Sequence, residues 1–402
     1  MQIHFKALFW TQRRTFFQLI LTIWLPIIFS PGSLISAANA FSYDVVIYGA
    51  TPGGIAAALS AADAGANSVA LLEPSYQIGG MATLGGIGLR DHIHSNLFGQ
   101  TGSSMYDWVS LNSKYYNLSA DKYPVYQPDN YVGARNLWKL LSNRTAIGVF
   151  LKTPIIGGGR GVRKQDKDHR IQWIKTRCSL TNNVWPESKR LPAAIRKTQI
   201  AMCYWNAKIF IDASYEGDLM ASVDGVTWTA GRESRGHYNE SLAGVTNASV
   251  GQFSVPVSAI WKNGSLLKYL DPASDLSTVG SADDRVMGYS YRLCITKDRS
   301  NLVPFPSPGD RHLPEYNAAD FELLKRYYIA MRAANRTAVA PFSGLQYFGY
   351  PHDRLRRNKF DMCDAGTLTP VTTDLANDGR YYTNASVYER DRIAAAHKYY
   401  LA

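Results

Sequence analysis

Cysteine is scarce in this chain: four residues in 402, with no two in a C-x-x-C arrangement. That spacing is what an iron–sulfur cluster, a structural zinc site or a thioredoxin-type redox pair would need, so no metal site is predicted. Beyond the first forty residues no apolar run is long enough to span a bilayer, which takes about 20 residues in a relaxed helix. Internal repeats and low-complexity stretches are missing. So is any nucleic-acid-binding motif, although the formal net charge is +11. Arg160, Arg163, Lys164, Lys167 and Arg170 are interspersed with Asp166 and Asp168, and only Arg354, Arg356, Arg357 and Lys359 form a tighter basic group. Both stretches read as solvated loops before they read as sites for an anionic ligand.

The first forty residues stand apart. Lys6, Arg13 and Arg14 form a basic start, Phe16 to Phe29 is apolar except for Gln18, Thr22 and Pro26, and Ala38-Asn39-Ala40 is a small-residue cleavage pattern. The expected reading is a signal peptide over 1–40, cleaved after Ala40, and a secreted, extracellular chain beginning at Phe41. The leader carries three basic residues and no acid, leaving +8 of the +11 on the mature chain. An uncleaved signal anchor is the competing reading, disfavoured by the short run and its proline. Seven N-x-S/T sequons, at Asn117, Asn143, Asn239, Asn247, Asn263, Asn335 and Asn384, fit a glycoprotein on that route. An oxidising compartment allows disulfides among Cys178, Cys203, Cys294 and Cys363, with three possible pairings. Cys178 and Cys203 flank a polar, loop-like stretch and are the favoured pair.

The most informative stretch is Asp44 to Gly80, which reads as a complete βαβ dinucleotide-binding unit. Val45-Val46-Ile47-Tyr48 suits a strand buried on both faces of a parallel sheet. Gly49-Ala50-Thr51-Pro52-Gly53-Gly54 makes the turn, Ile55 to Ala62 starts a helix, Gly65 stops it, and Ser68 to Leu72 is a second strand. Glu73 ends that strand, and five residues intervene before Gly79-Gly80-Met81. Glycines let a backbone approach a pyrophosphate, and a helix N-terminus aims free N–H groups and a positive dipole end at its charge. An acidic residue at the end of the second strand can accept bonds from ribose hydroxyls. Thr51 stands where the usual G-x-G-x-x-G has its second glycine. Its Cβ narrows the approach to phosphate, while its hydroxyl offers a donor.

Gly80 to Gly88 is glycine-rich, a composition that lets backbone wrap a large planar ligand. His92 and His94 follow at a spacing that on a strand places both on one face; solvated loop imidazoles are the default, a metal or acid–base pair the alternative. Lys208 to Ser214 reads as a short buried strand, followed by a turn and a helix whose start carries Glu216 and Asp218.

Taken together, Gly49 to Ala56, Glu73, Gly79-Gly80-Met81, Gly85-Gly86-Ile87-Gly88 and Ile211-Asp212-Ala213-Ser214-Tyr215-Glu216-Gly217-Asp218-Leu219 resemble the FAD-dependent oxidoreductase family, nearest to its secreted, xanthan-lyase-like branch. Gly231-Arg232-Glu233, Tyr238 to Gly244, Tyr291 to Thr296, Thr373-Asp374-Leu375 and Tyr388 to Ile393 extend the resemblance over most of the mature chain. The resemblance implies FAD as cofactor, with its pyrophosphate on Gly49, Ala50, Thr51, Pro52, Gly53 and Gly54. It puts the adenosine ribose on Glu73, the phosphates beside Gly79, Gly80 and Met81, and a second contact at Ala213 and Ser214. It also makes Thr51 usual for the branch. Relatives of this kind continue past the equivalent of Ala402 to complete the flavin site, whereas this chain stops in a helical pattern, so a C-terminal truncation is expected.

The expected fold class is α/β: a Rossmann-type FAD-binding core over 41–100 and 200–250, an irregular, aromatic-rich capping insertion over 101–199, and a second α/β (α+β) domain over 251–402, incomplete at its C-terminus. Expected second-domain elements are a strand over Val255 to Trp261 and helices over Asp320 to Ala334 and Ser386 to Ala402. The expected function is a secreted FAD-dependent oxidoreductase acting on an organic, carbohydrate-like small molecule, with the electron acceptor unassigned and no nucleic-acid partner. The catalytic base is unknown; His92, His94, Tyr291 and His397 are candidates. A catalytically inactive flavin-fold binding protein or truncated fragment is one rival. An NAD-dependent dehydrogenase is the other, disfavoured by the Gly79-Gly80 doublet and the scarcity of NAD outside cells.

Overall fold

Val45-Val46-Ile47-Tyr48 offers no polar side chain to either face of a sheet short of the Tyr48 hydroxyl, and the structure buries all four residues. The computed structural model describes residues 39–84, 102–156, 161–164, 170–179, 200–246, 253–270, 276–286, 289, 291, 293–296, 298–304, 316–336, 346–347, 359–362, 373–375 and 378–401. These four residues form the end of β1 (Asn39–Tyr48), which leads through α1 (Pro52–Asp63) to β2 (Val69–Leu72). β2 pairs parallel with β1, Val45 opposite Val69 and Tyr48 opposite Leu72.

The described parts of the stretch expected to be irregular form regular elements. It holds α2 (Ser103–Tyr115), α3 (Asn130–Ser142) and the strands β3 (Ile147–Phe150), β4 (Val162–Lys164) and β5 (Ile171–Ser179). β6 (Ile200–Asp212) then returns beside β1. The six strands make one sheet in the order β3-β2-β1-β6-β5-β4, parallel from β3 to β6 and antiparallel from β6 to β4.

Alternation along β1 divides the core. Val45 and Ile47 face α1, α2 and α3 with Ile55, Ala58, Leu59, Trp108, Leu137 and Leu141. Val46 and Tyr48 face the opposite layer, where Phe150, Ile155, Ile174 and Trp205 gather. Each fully buried aliphatic side chain here contributes about 2 kcal/mol. Trp205 is the hub of the second layer, stacked on Phe41 at 4.8 Å, meeting Phe150 edge-on at 4.7 Å and donating from Nε1 to Thr176 Oγ1 at 2.8 Å.

Cys178 and Cys203 are joined by a disulfide between β5 and β6, with Cα atoms 5.9 Å apart. Cys294 lies in β7 (Leu293–Thr296), and Cys363 lies outside the described residues.

After β6 come the one-turn helices α4 (Asp218–Ala221) and α5 (Arg235–Tyr238), then α6 (Glu322–Ala333) and α7 (Val387–Leu401). β7 joins β8 (Gln346–Tyr347) and β9 (Lys359–Met362) in a separate antiparallel sheet of order β7-β9-β8. Asp320 to Ala334 is helical as its pattern predicts, and its apolar stripe is core: Tyr327 and Met331 bury against Val255. The expected strand over Val255 to Trp261 does not form. Pro256 cannot donate to a ladder, and only Ile260 makes a bridge, to Leu266.

Among the described residues no helix is long and apolar enough to cross a membrane. β1 starts at Asn39, so the cleavage expected after Ala40 falls inside this strand, where Ala40 pairs with Tyr204.

Candidate functional site

β1, β2 and β6 all end at one edge of the sheet. The chain leaves β1 toward β2 and comes back on the other side as β6, so the carboxyl end of β1 is a topological switch point. Such a crevice is where open α/β sheets receive ligands.

The turn between β1 and α1 is built from contacts that admit no side chain. Gly49 takes φ +99°, and a Cβ there would lie 2.7 Å from Ser214 N and 2.8 Å from Ala213 C. A Cβ on Gly54 would fall inside the van der Waals shell of Gly49 O. The end of β6 thus rests directly on the glycine loop. Gly53 differs: it is exposed, a Cβ there would meet nothing nearer than Thr51 Oγ1 at 3.8 Å, and its N–H has no acceptor among the described residues. Pro52 occupies the first helical position, where the missing N–H costs nothing.

Thr51 corrects one expectation. Its hydroxyl is not held ready for a phosphate: it accepts from Gly54 N–H at 3.2 Å as the cap of α1 and donates to Ala213 O at 2.8 Å. In place of a glycine's open approach, the chain has a hydroxyl that ties the loop to β6.

Glu73 is buried at the end of β2. Its carboxylate accepts from Ala50 N–H (2.8 Å) and Ser75 N–H (2.8 Å), one bond to each oxygen. Burial raises its pKa above the ordinary carboxylate value, opposed by hydrogen bonding to the Ser75 side chain and to the Ser75 and Ala50 N–H groups. A carboxylate has about four lone-pair sites, more than these donors fill.

Ala50 is engaged on both sides, since its carbonyl accepts from Gly79 N–H at 2.7 Å. Gly79 (φ +93°) opens the short turn Gly80–Ala82, which this bond fastens to the glycine loop. The Met81 side chain is exposed, while its N–H is bonded to Tyr215 Oη at 2.9 Å.

Ala213 reaches the cleft through its backbone, its N–H on Tyr48 O and its carbonyl on Thr51. The hydroxyl of Ser214 is spent in its own turn, donating to Asp212 Oδ1 (2.7 Å) and accepting from Asp218 N–H (2.8 Å). All twelve motif residues therefore lie on one edge, some by side chain and others by backbone alone.

Of the acid–base candidates, His92 and His94 lie outside the described residues. Tyr291 meets His397 edge-on at 4.8 Å. His397 is buried, and its Nε2 is 2.5 Å from Thr373 O. Burial lowers its pKa below the ordinary 6.5, against opposing effects of Thr373 O and the Asp374 charge. A histidine whose folded pKa is depressed withdraws stability as pH falls through the ordinary value. The melting temperature should therefore drop on acidification below about pH 6.5, and His397→Gln should show a smaller drop over the same range. Parallel pH–melting curves for the two proteins would sink this account.

The sequence reading missed a cluster just past Ser214. Arg390 on α7 grips Asp218 with two bonds of 2.8 Å and donates also to Tyr382 O (2.9 Å) and Thr383 O (2.8 Å). Glu216 sits beside it, its pKa raised by burial and eased by the Arg390 charge, and accepts from Tyr289 Oη at 3.4 Å. The motif that contains Glu216 and Asp218 was visible, but its partner stands 172 residues later.

The sequence pattern of the family described as FAD dependent oxidoreductase matches residues 44–402, and the chain belongs to that family. FAD is accordingly its cofactor. Solved structures similar to it include L-proline dehydrogenase from P. horikoshii, 15% identical over 49% of this chain and 24% of that one, with a TM-score of 0.21. THI4 from Thermovibrio ammonificans is 16% identical over 43% and 56%, with a TM-score of 0.26. The 3-ketosteroid-delta4-(5alpha)-dehydrogenase from Rhodococcus jostii RHA1 is 13% identical over 45% and 47%, with a TM-score of 0.27. The chain thus spans between about a quarter and just over half of the length of these three structures. No curated protein matches it significantly.

Proposed function

We propose that the chain is an FAD-dependent oxidoreductase that holds its cofactor at the carboxyl edge of the six-stranded sheet. The observation that carries this reading is the cradle at the end of β1, where two glycines admit no Cβ and a third leaves an open space with a free N–H at a helix N-terminus. A diphosphate is the ligand such a place suits. In this reading Gly49, Ala50, Pro52, Gly53 and Gly54 shape the diphosphate seat and Thr51 fixes it to β6. Glu73 offers its free lone pairs to ribose hydroxyls, and Gly79, Gly80, Met81, Ala213 and Ser214 form the opposite wall through their backbones. Bound FAD would supply two-electron redox chemistry. The protein's own part is to bind, orient and exclude water, with residues 251–402 forming the second domain.

The finer reading is a secreted enzyme of the xanthan-lyase-like branch, acting on a carbohydrate-like organic substrate. Support for the export route comes from the leader pattern and from the sequons. Asn117, Asn143, Asn239, Asn263, Asn335 and Asn384 are all exposed, and Asn247 lies outside the described residues.

The test is an absorbance spectrum of the purified chain, with the flavin released by heat. The visible absorption bands of an oxidised flavin, at about one flavin per chain, are expected. A folded chain that is colourless and takes up no added FAD would overturn the reading.

A further inference from the structure

The geometry points to Tyr215 as a further binding residue, one whose hydroxyl donates to the cofactor's diphosphate from the wall facing the glycine loop. This rests on the FAD site proposed above and adds to it a residue outside the glycine motifs.

Three observations place it. Gly80 stands at φ +47°, and a Cβ there would overlap Tyr215 Oη and lie 2.9 Å from its Cζ, so the phenol end is seated on the Gly80 backbone. Met81 N–H donates to Oη at 2.9 Å, which fixes the oxygen while leaving its own proton free to point elsewhere. That proton has no acceptor among the described residues.

The residue is also held firmly from behind. Asp212 accepts from Ser214 N–H (3.0 Å), Ser214 Oγ (2.7 Å) and Met220 N–H (2.8 Å), so the turn that carries Tyr215 is closed at both ends. The ring itself remains half-exposed, with one end on the Gly80 turn.

Charge decides what the hydroxyl can do. Burial raises the phenol's pKa, and Glu73 and Glu216 raise it further. A phenol titrates ordinarily near pH ~10, and these effects only raise it, so Tyr215 is protonated at neutral pH and serves as a donor. A donor seated on the Gly80 backbone beside Met81, in the turn that Gly79 fastens to the glycine loop through Ala50 O, matches an anionic oxygen. Hydrogen bonds to a charged acceptor are the strong ones, so the hydroxyl should matter to affinity.

Dissociation constants for FAD, ADP and adenosine would be measured by titration of the full chain and of Tyr215→Phe, with melting curves to show that both fold. The variant should bind FAD and ADP about tenfold more weakly, the loss of about 1.4 kcal/mol, and adenosine as wild type does. Unchanged FAD and ADP binding would overturn the assignment. So would a loss confined to FAD, which places the contact on the flavin half, or one shared with adenosine, which makes it general to the fold. Should the variant fail to fold, nitration of the wild-type chain decides: FAD or ADP should slow modification of Tyr215, and equal rates would overturn it. A wild-type chain that binds neither FAD nor ADP overturns the site itself, an outcome distinct from normal binding with an indifferent Tyr215.

Discussion

Gly54→Ala should abolish measurable FAD binding and cost about 3 kcal/mol of stability, although alanine is the better helix former. The single added carbon would meet Gly49 O, a backbone atom with no rotamer to yield. Moving Gly49 disturbs Ser214 and Ala213 on one side and its bond to Leu72 O on the other, so the whole switch point shifts. Gly53→Ala is the matched control: its Cβ enters open space, so the fold should hold while a bulky ligand loses room. Urea unfolding and FAD titration of both variants read the two effects separately. Equal stability of Gly54→Ala and wild type would sink the account.

Arg390→Met should cost about 3 kcal/mol, the usual penalty for removing one partner of a largely buried ion pair. The side chains of Arg390 and Asp218 are 14% and 22% exposed, so screening by water is limited. The variant strands the Asp218 carboxylate near Glu216 and leaves the Tyr382 and Thr383 carbonyls without their donor. Asp218→Asn combined with Arg390→Met should recover part of the loss, because the stranded charge is gone. An additive double mutant in urea unfolding would show that the pair contributes nothing beyond its separate members.

The sequence made the nucleotide-binding unit legible because each of its signals is local. The apolar run of β1, the proline and glycines at the start of α1, and Glu73 at the end of β2 are each decided within a few residues. α2 and α3 were hidden by polar residues doing buried work. Asn112 and Ser113 sit in the core of α2, where Asn112 donates to Val125 O and accepts from Asn136, while Ser113 bonds to Val109 O and Tyr123 O. Gly133 breaks the helical pattern of α3, yet it is the carbonyl of Gly133 that takes the Trp108 indole N–H. No periodicity count reports such compensation. The Thr51 bond to Ala213 and the Arg390 bond to Asp218 were hidden for a different reason, since they join residues 162 and 172 positions apart.

That separation also governs when the cleft can exist during synthesis. β1 finds β2 after about two dozen residues, as the Asp44 bond to Ser68 shows with a separation of 24. Its other neighbour, β6, has yet to be made. At translation speeds of about 5–20 residues per second the β6-facing side of β1 waits for roughly ten to thirty seconds. Through that interval a ten-residue strand ending in the apolar run Val45 to Tyr48 presents unpaired N–H and C=O groups to whatever is near, the condition under which edges recruit foreign strands. The newly made chain is therefore most exposed to misassembly just where the finished protein is most deeply buried, and a chaperone acting on it has β1 to shield until β6 arrives.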